Sequence, residues 1–302
     1  MQHYKSWILP IAIVLSVFFH EYIVVLNPSL PYLLILLLYF SFNSLDVKTM
    51  RFKMFDLWLL LFQLVFSTAV YLLIKPFNEV VAQGAFVIVL APTASAAIAV
   101  SLILGANISM INTYLLVCNI MVAVVAPLAF TIIGMSPDIS FWSSFIIIFR
   151  KVFPLLILPL FMALFTNRFW PKVNKYIIEH KNLSFYVWAI CLTIVLSKAV
   201  SLLITQFKEH RVMFLCMVLV SLILCIIQFA IGRYIGGHYG DKIAGGQALG
   251  QKNTVLAIWM AQNYLNPLSS IVPTIYILWH NLYNSIQMMQ NSKFEKKTII
   301  DK

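Results

Sequence analysis

The chain has 302 residues, of which 62% are hydrophobic and 10% charged, with a formal net charge of +11. Soluble domains are about 45–50% apolar and about 25% charged, so the composition excludes a water-soluble globular fold and implies an integral membrane protein. The surplus cations lie in short loops between apolar runs, which excludes the basic patch of a nucleic-acid partner.

With lipid as solvent, only helices or a closed barrel satisfy the backbone. The apolar runs are about 18–25 residues long, the length of a membrane helix, and they lack the alternation of barrel strands. An all-α fold of ten transmembrane helices is therefore expected, at roughly 6–26, 29–44, 55–75, 80–105, 107–133, 141–167, 184–205, 212–235, 240–265 and 268–290. The whole chain, 1–302, reads as a single transmembrane unit, because no loop is long enough for a soluble domain.

In chain order, the first span, "WILPIAIVLSVFF", runs into His20 and Glu21 without a small-residue cleavage site, so it is read as retained. The third carries one amide, Gln63, in "FQLVFSTAV". The fourth is interrupted at "LAPTASAA", where Pro92 removes a donor while Thr93 and Ser95 are placed to bond the freed carbonyls. The fifth holds Asn112 and Asn119, polar enough to face the crossover, Asn112 being a candidate site residue, though packing glue is the plainer reading; the sixth opens with Arg150 and Lys151 near the interface. The seventh contains Lys198, which either snorkels to the surface or faces a cavity as an anion-attracting charge. The ninth is interrupted at "GQKNT", where Gly250 permits an unusual backbone and Gln251, Asn253 and Thr254 supply polar partners around Lys252. The tenth ends with His280 and Asn281, candidate site residues expected to make core hydrogen bonds rather than to contact the substrate. Cys118, Cys191, Cys216 and Cys225 are isolated in apolar runs and are read as small hydrophobes rather than metal ligands. No catalytic motif is present, so an enzyme is not expected.

Loop cations set the orientation. The N-terminus, the loops after spans 2, 4, 6 and 8, and the C-terminus carry 14 Lys and Arg against 3 on the other side. Both termini are thereby expected in the cytoplasm, with the chain in an inner (plasma) membrane. The chain also looks doubled. "KTMRFKMF" at Lys48 is followed 159 positions later by "FKEHRVMF", and "APTASAAIAV" at Ala91 is followed at the same interval by "GQKNTVLAIW". Five spans per half, 1–133 and 141–290, invert the second repeat. Inverted repeats with interrupted helices in matching positions point to a secondary transporter with its site near the midplane. Each break also creates a helix N-terminus, near Ala94 to Ala96 and near Asn253 to Val255, suited to an anion.

The stretch "KNTVLAIWMAQNYLNPLSSIVPTIYILWHNLYNS", with "LYFSFNSLDVKTMRF" and "APTASAAIAVSLILGAN", resembles the bile acid:sodium symporter superfamily. The resemblance implies a panel subdomain of spans 1, 2, 6 and 7, and a core subdomain of spans 3–5 and 8–10 in which spans 4 and 9 cross. It further implies sodium-coupled uptake of a small organic anion. The sodium ligands do not carry over. Against the family's E-V-G-M-Q-N-S, this chain places Ala248 at the glutamate and Lys252 at the glutamine. The Ser-Asn pair of span 4 falls on Ala97 and Ile98, and Gln63 alone matches the span 3 glutamine.

Three readings of Lys252 remain open at this level: a fixed ammonium standing where sodium would, a direct contact to an anionic substrate, or a proton carrier. As a stand-in it would meet groups from both broken helices, with Thr93, Ser95 and Gln63 as neighbours. The expected function is alternating-access transport of an organic anion in the bilayer, without sodium as driver and without a cofactor or metal. The alternatives are a sodium symporter with shifted ligands, or a sensor or partner subunit that kept the fold. Substrate and oligomeric state are not legible in the sequence.

Overall fold

The computed structural model describes residues 5–45, 50–134, 140–180 and 182–300. Among them the structure is helical, with no β-strand and one isolated bridge between Thr93 and Lys252. Of the loop cations counted above, Lys48, Lys181 and Lys302 lie outside the described residues.

The helices are α1 (Lys5–Ile23), α2 (Leu30–Asn43), α3 (Met54–Ile74), α4 (Glu79–Leu90), α5 (Ala96–Ile103), α6 (Ile108–Ile133), α7 (Phe141–Phe169), α8 (Pro171–Glu179), α9 (Asn182–Gln206), α10 (Arg211–His238), α11 (Lys242–Gly250), α12 (Thr254–Tyr264) and α13 (Ile271–Ile300). Among the described residues, six stretches are long and apolar enough to cross a membrane: Pro10–Asn43, Met54–Ile74, Ile108–Ile133, Phe141–Phe169, Leu183–Gln206 and Arg211–His238. The α4–α5 and α11–α12 pairs fall short because each is cut in two, and a half-helix cannot span about 30 Å. Helix α8 was not expected. It follows Pro171, whose fixed φ suits a first helical position, and it mixes lysines with apolar residues as an interfacial helix does.

Packing forms two groups that are joined where α6 lies along α7. Helix α1 lies along α9, and α2 lies along α7 and α9. The other group is built on α10, which packs against α11, α13, α4 and α3. Residues 81–90 of α4, 244–250 of α11 and 254–262 of α12 are all buried. Apart from one glutamine in each, Gln83, Gln247 and Gln262, these segments are mostly apolar or small, and such helices belong inside a bundle. Helices α10 and α11 approach through Gly232, Gly236 and Gly245; a Cβ on Gly236 would lie 2.9 Å from the Gly245 Cα. Glycine here lets two backbones touch, the usual device for close helix pairs in lipid.

One end of this group is tied by Asp241. Its Oδ1 accepts the Ala244 N–H at 2.8 Å, capping α11, and its Oδ2 accepts the Asn107 N–H at 2.6 Å. The turn before α11, where Gly240 takes φ +85°, is thus joined to the turn before α6.

Candidate functional site

The two expected breaks meet. Helix α4 stops because Ala91 precedes proline, a position pushed out of the helical region; its φ and ψ are −50° and 141°. Helix α11 stops at Gly250, and Gln251 and Asn253 take non-helical angles. The reason for Gly250 differs from the expectation. Its φ is not positive, so it supplies no special backbone angle. A Cβ there would run into the Phe229 ring of α10, so glycine is needed for close approach.

The crossing strands pair reciprocally. Ala94 N–H donates to the Gln251 carbonyl and Asn253 N–H donates to the Pro92 carbonyl, both at 2.8 Å. The side chains repeat the exchange. Thr93 Oγ1 donates to the Ala248 carbonyl at 2.6 Å, and Lys252 Nζ donates to the Val89 carbonyl at 2.9 Å. Thr93 and Lys252 are 159 positions apart, as are Val89 and Ala248, Pro92 and Gln251, and Ala94 and Asn253. Every one of these four bonds is the counterpart of another under that shift.

Lys252 is 1% exposed. Besides Val89, its Nζ donates to the Ala91 carbonyl at 3.0 Å. Both acceptors belong to the last turn of α4, whose carbonyls have no helical partner and which carries the negative end of the helix dipole. That placement offsets the loss of hydration of the ammonium, which otherwise costs several kcal/mol. The partners therefore come from one broken helix, not both as expected.

Gln63 shares this acceptor set. Its Nε2 donates to Leu90 O at 2.6 Å and to Ala91 O at 3.2 Å, while its Oε1 accepts from Tyr114 OH at 2.7 Å and from the Cys118 thiol at 3.3 Å. The second break has a parallel arrangement. Tyr276 OH donates to the Gly250 carbonyl at 2.9 Å and accepts from Gln228 Nε2 at 3.1 Å. Each break is thus held by one glutamine and one tyrosine, from α3 and α6 at the first and from α10 and α13 at the second.

Other expected site residues fall in different places. Ser95 is half-buried at the N-cap of α5 without a side-chain cap bond, and it does not bond Lys252. Gln251 Oε1 accepts from the amide of Asn284, and Asn284 Oδ1 accepts from Gln247 Nε2 at 2.8 Å, which extends an amide cluster along α11 and α13. Asn253 Oδ1 accepts the Leu256 N–H at 3.2 Å, and with Thr254 it is buried at the head of α12.

Asn112 and His280 are buried, and Asn112 Oδ1 and His280 Nδ1 have no hydrogen-bond partner among the described residues; the His280 ring lies 5.5 Å from that of Tyr276, which holds the second break. Asn281 donates to its own helix at Ile277 O. Lys198 is half-buried on α9, one turn beyond Val195, whose carbonyl accepts from Gln262 Nε2 of α12 at 3.3 Å. It forms no ion pair among the described residues.

The two helix N-termini are unlike. That of α12 is buried and already capped by Asn253. That of α5 has no side-chain cap, and Ala96 in its first turn is exposed.

The sequence reading missed Tyr114, Tyr276 and Gln228. A tyrosine in an apolar run looks like ordinary core, and its hydroxyl acquires meaning only when a broken helix lies against it. The available signal was the recurrence of a glutamine and a tyrosine in corresponding spans of the two halves. No protein-family model matches the chain and no curated protein matches it. The likeness to the bile acid:sodium symporter superfamily rests on the motifs quoted above.

Proposed function

We propose that the chain is a secondary transporter of a small organic anion, built from ten spans as two inverted repeats. It would reside in an inner membrane with both termini in the cytoplasm. The carrying observation is the reciprocal crossover, in which four hydrogen bonds between the two breaks map onto one another under a single shift in sequence. Such paired discontinuous helices create polar backbone at the bilayer midplane, which is tolerated where it lines a substrate path.

The group of α1, α2, α7 and α9 would serve as the panel, and the group containing the crossover would rock against it. The uncapped α5 N-terminus is the end available to an anion, since its free N–H groups and dipole favour negative charge. Lys252 serves as a tethered cation. Its burial and two carbonyl bonds favour the structural reading over direct substrate contact, and they give a reason for transport without sodium.

The test is uptake into proteoliposomes of a radiolabelled bile acid and of small labelled carboxylates, with choline replacing sodium. Saturable uptake should be the same in both media. Steep sodium dependence would overturn the coupling part of the proposal. Absence of saturable uptake for every probe would overturn the substrate class.

A further inference from the structure

The last three turns of α7 border a cavity of about 600 Å³ that faces outward from the helix bundle. Its walls include Tyr39 of α2, Leu158, Phe161, Met162 and Phe165 of α7, and Trp170. The two hydroxyls in it are already satisfied. Tyr39 OH and Thr166 Oγ1 lie 2.9 Å apart, and Thr166 Oγ1 donates to the Met162 carbonyl at 2.8 Å. The trough therefore asks nothing polar of its occupant and suits hydrocarbon.

Arg168 also belongs to the lining and forms no ion pair among the described residues. Lys172 is exposed in the first turn of α8, just past the break at Trp170, and that turn has no side-chain cap. An apolar trough of this size with one cation in its lining and a second four residues on in the chain is complementary to an acyl chain joined to an anionic head. The side concerned also holds the excess of loop Lys and Arg, as a leaflet rich in anionic lipid favours.

We infer that this groove holds one anionic diacyl phospholipid, with a chain along α7 against Tyr39 and the phosphate at Arg168 and Lys172. Headgroup choice is made by charge, so a zwitterionic lipid with the same chains binds more weakly. The site is separate from the crossover and is independent of any transport activity.

The experiment is native mass spectrometry of the detergent-solubilised full chain, titrated with phosphatidylglycerol or with phosphatidylcholine of identical chains. The wild type should retain one phosphatidylglycerol at lower lipid concentration than one phosphatidylcholine. Arg168→Gln should weaken phosphatidylglycerol binding about fivefold, the effect of one cation near a charged headgroup, and leave phosphatidylcholine unchanged. Met162→Trp, at a partly exposed position, should fill the trough and weaken both lipids. Lys208→Gln, in the loop before α10, should change neither.

Equal retention of the two lipids by the wild type would overturn the inference. So would an unchanged Arg168→Gln protein, undiminished binding to Met162→Trp, or a loss in Lys208→Gln as large as that in Arg168→Gln.

Discussion

At the scale of single residues, Lys252 carries the most. A lysine in the middle of a membrane segment is costly unless its donors are met, and here they meet the open carbonyls of Val89 and Ala91. Thr93 makes the corresponding bond to Ala248 with one hydroxyl, so the lysine does what its counterpart does and adds a charge at a helix C-terminus. Lys252→Ala should leave the Val89 carbonyl buried without a donor and remove the cation from the end of α4. The expected loss is about 3 kcal/mol, read as a lower thermal midpoint in detergent. Lys252→Gln brings back the amide of the resembled family without its glutamate, and sodium should not raise the midpoint of that variant. Wild-type stability in Lys252→Ala would remove the structural reading. A sodium-dependent rise in Lys252→Gln would show that the remaining oxygens are enough to bind the ion.

Between elements, the crossover depends on how closely α10 can approach the end of α11. Gly250 faces the Phe229 ring, and the Gly250 carbonyl is at the same time held by Tyr276. Gly250→Ala should therefore displace either the ring or the break, costing about 1–3 kcal/mol as overpacking does. Phe229→Leu alone should also destabilise, because the ring is fully buried. The double variant should lose less than the sum of the two singles, since the smaller side chain makes room for the new methyl. Chemical unfolding of all four proteins measures this coupling, and strict additivity would mean that the contact does not position the break.

On the scale of the whole molecule, the proposed ten-span topology has a direct test. A cysteine replacing Lys53 at the start of α3 and one replacing Lys208 between α9 and α10 should be labelled from opposite sides by a membrane-impermeant reagent. Labelling of both from one side would rule out the ten-span arrangement. Of the four native cysteines, Cys118, Cys191 and Cys225 are buried and Cys216 is exposed, so Cys216 must be replaced in the parent protein. The two helix groups meet where α6 lies along α7, and again at α9, where Gln262 of α12 reaches the Val195 carbonyl. A rocking motion would have to break and remake that contact.

Composition pointed to a membrane solvent, with 62% apolar and 10% charged residues, and the helical class followed from apolar runs of helix-spanning length without barrel alternation. Local chemistry marked where the two helices break, through Pro92 and through the polar run around Lys252, but it did not decide the matter alone, since Pro127, Pro154 and Pro159 lie inside continuous helices. The repeat at 159 positions was legible for the same reason, since it rests on residue types in order.

Only the tertiary structure decided which groups answer one another across the breaks. The acceptors of Lys252 are backbone carbonyls of Val89 and Ala91, and a carbonyl has no signature in sequence. Ser95, adjacent in the chain, is left out because the crossing directs its side chain elsewhere than the lysine. Tyr114 and Tyr276, remote in the chain, are drawn in because α6 and α13 pack against the two breaks. Gly250 was legible as a special position but not in its role, because steric need for a missing Cβ comes from Phe229, 21 residues earlier on another helix. Breaks are marked by residues along the chain, whereas their repair follows from which helices lie side by side, and that is set by packing of the whole bundle.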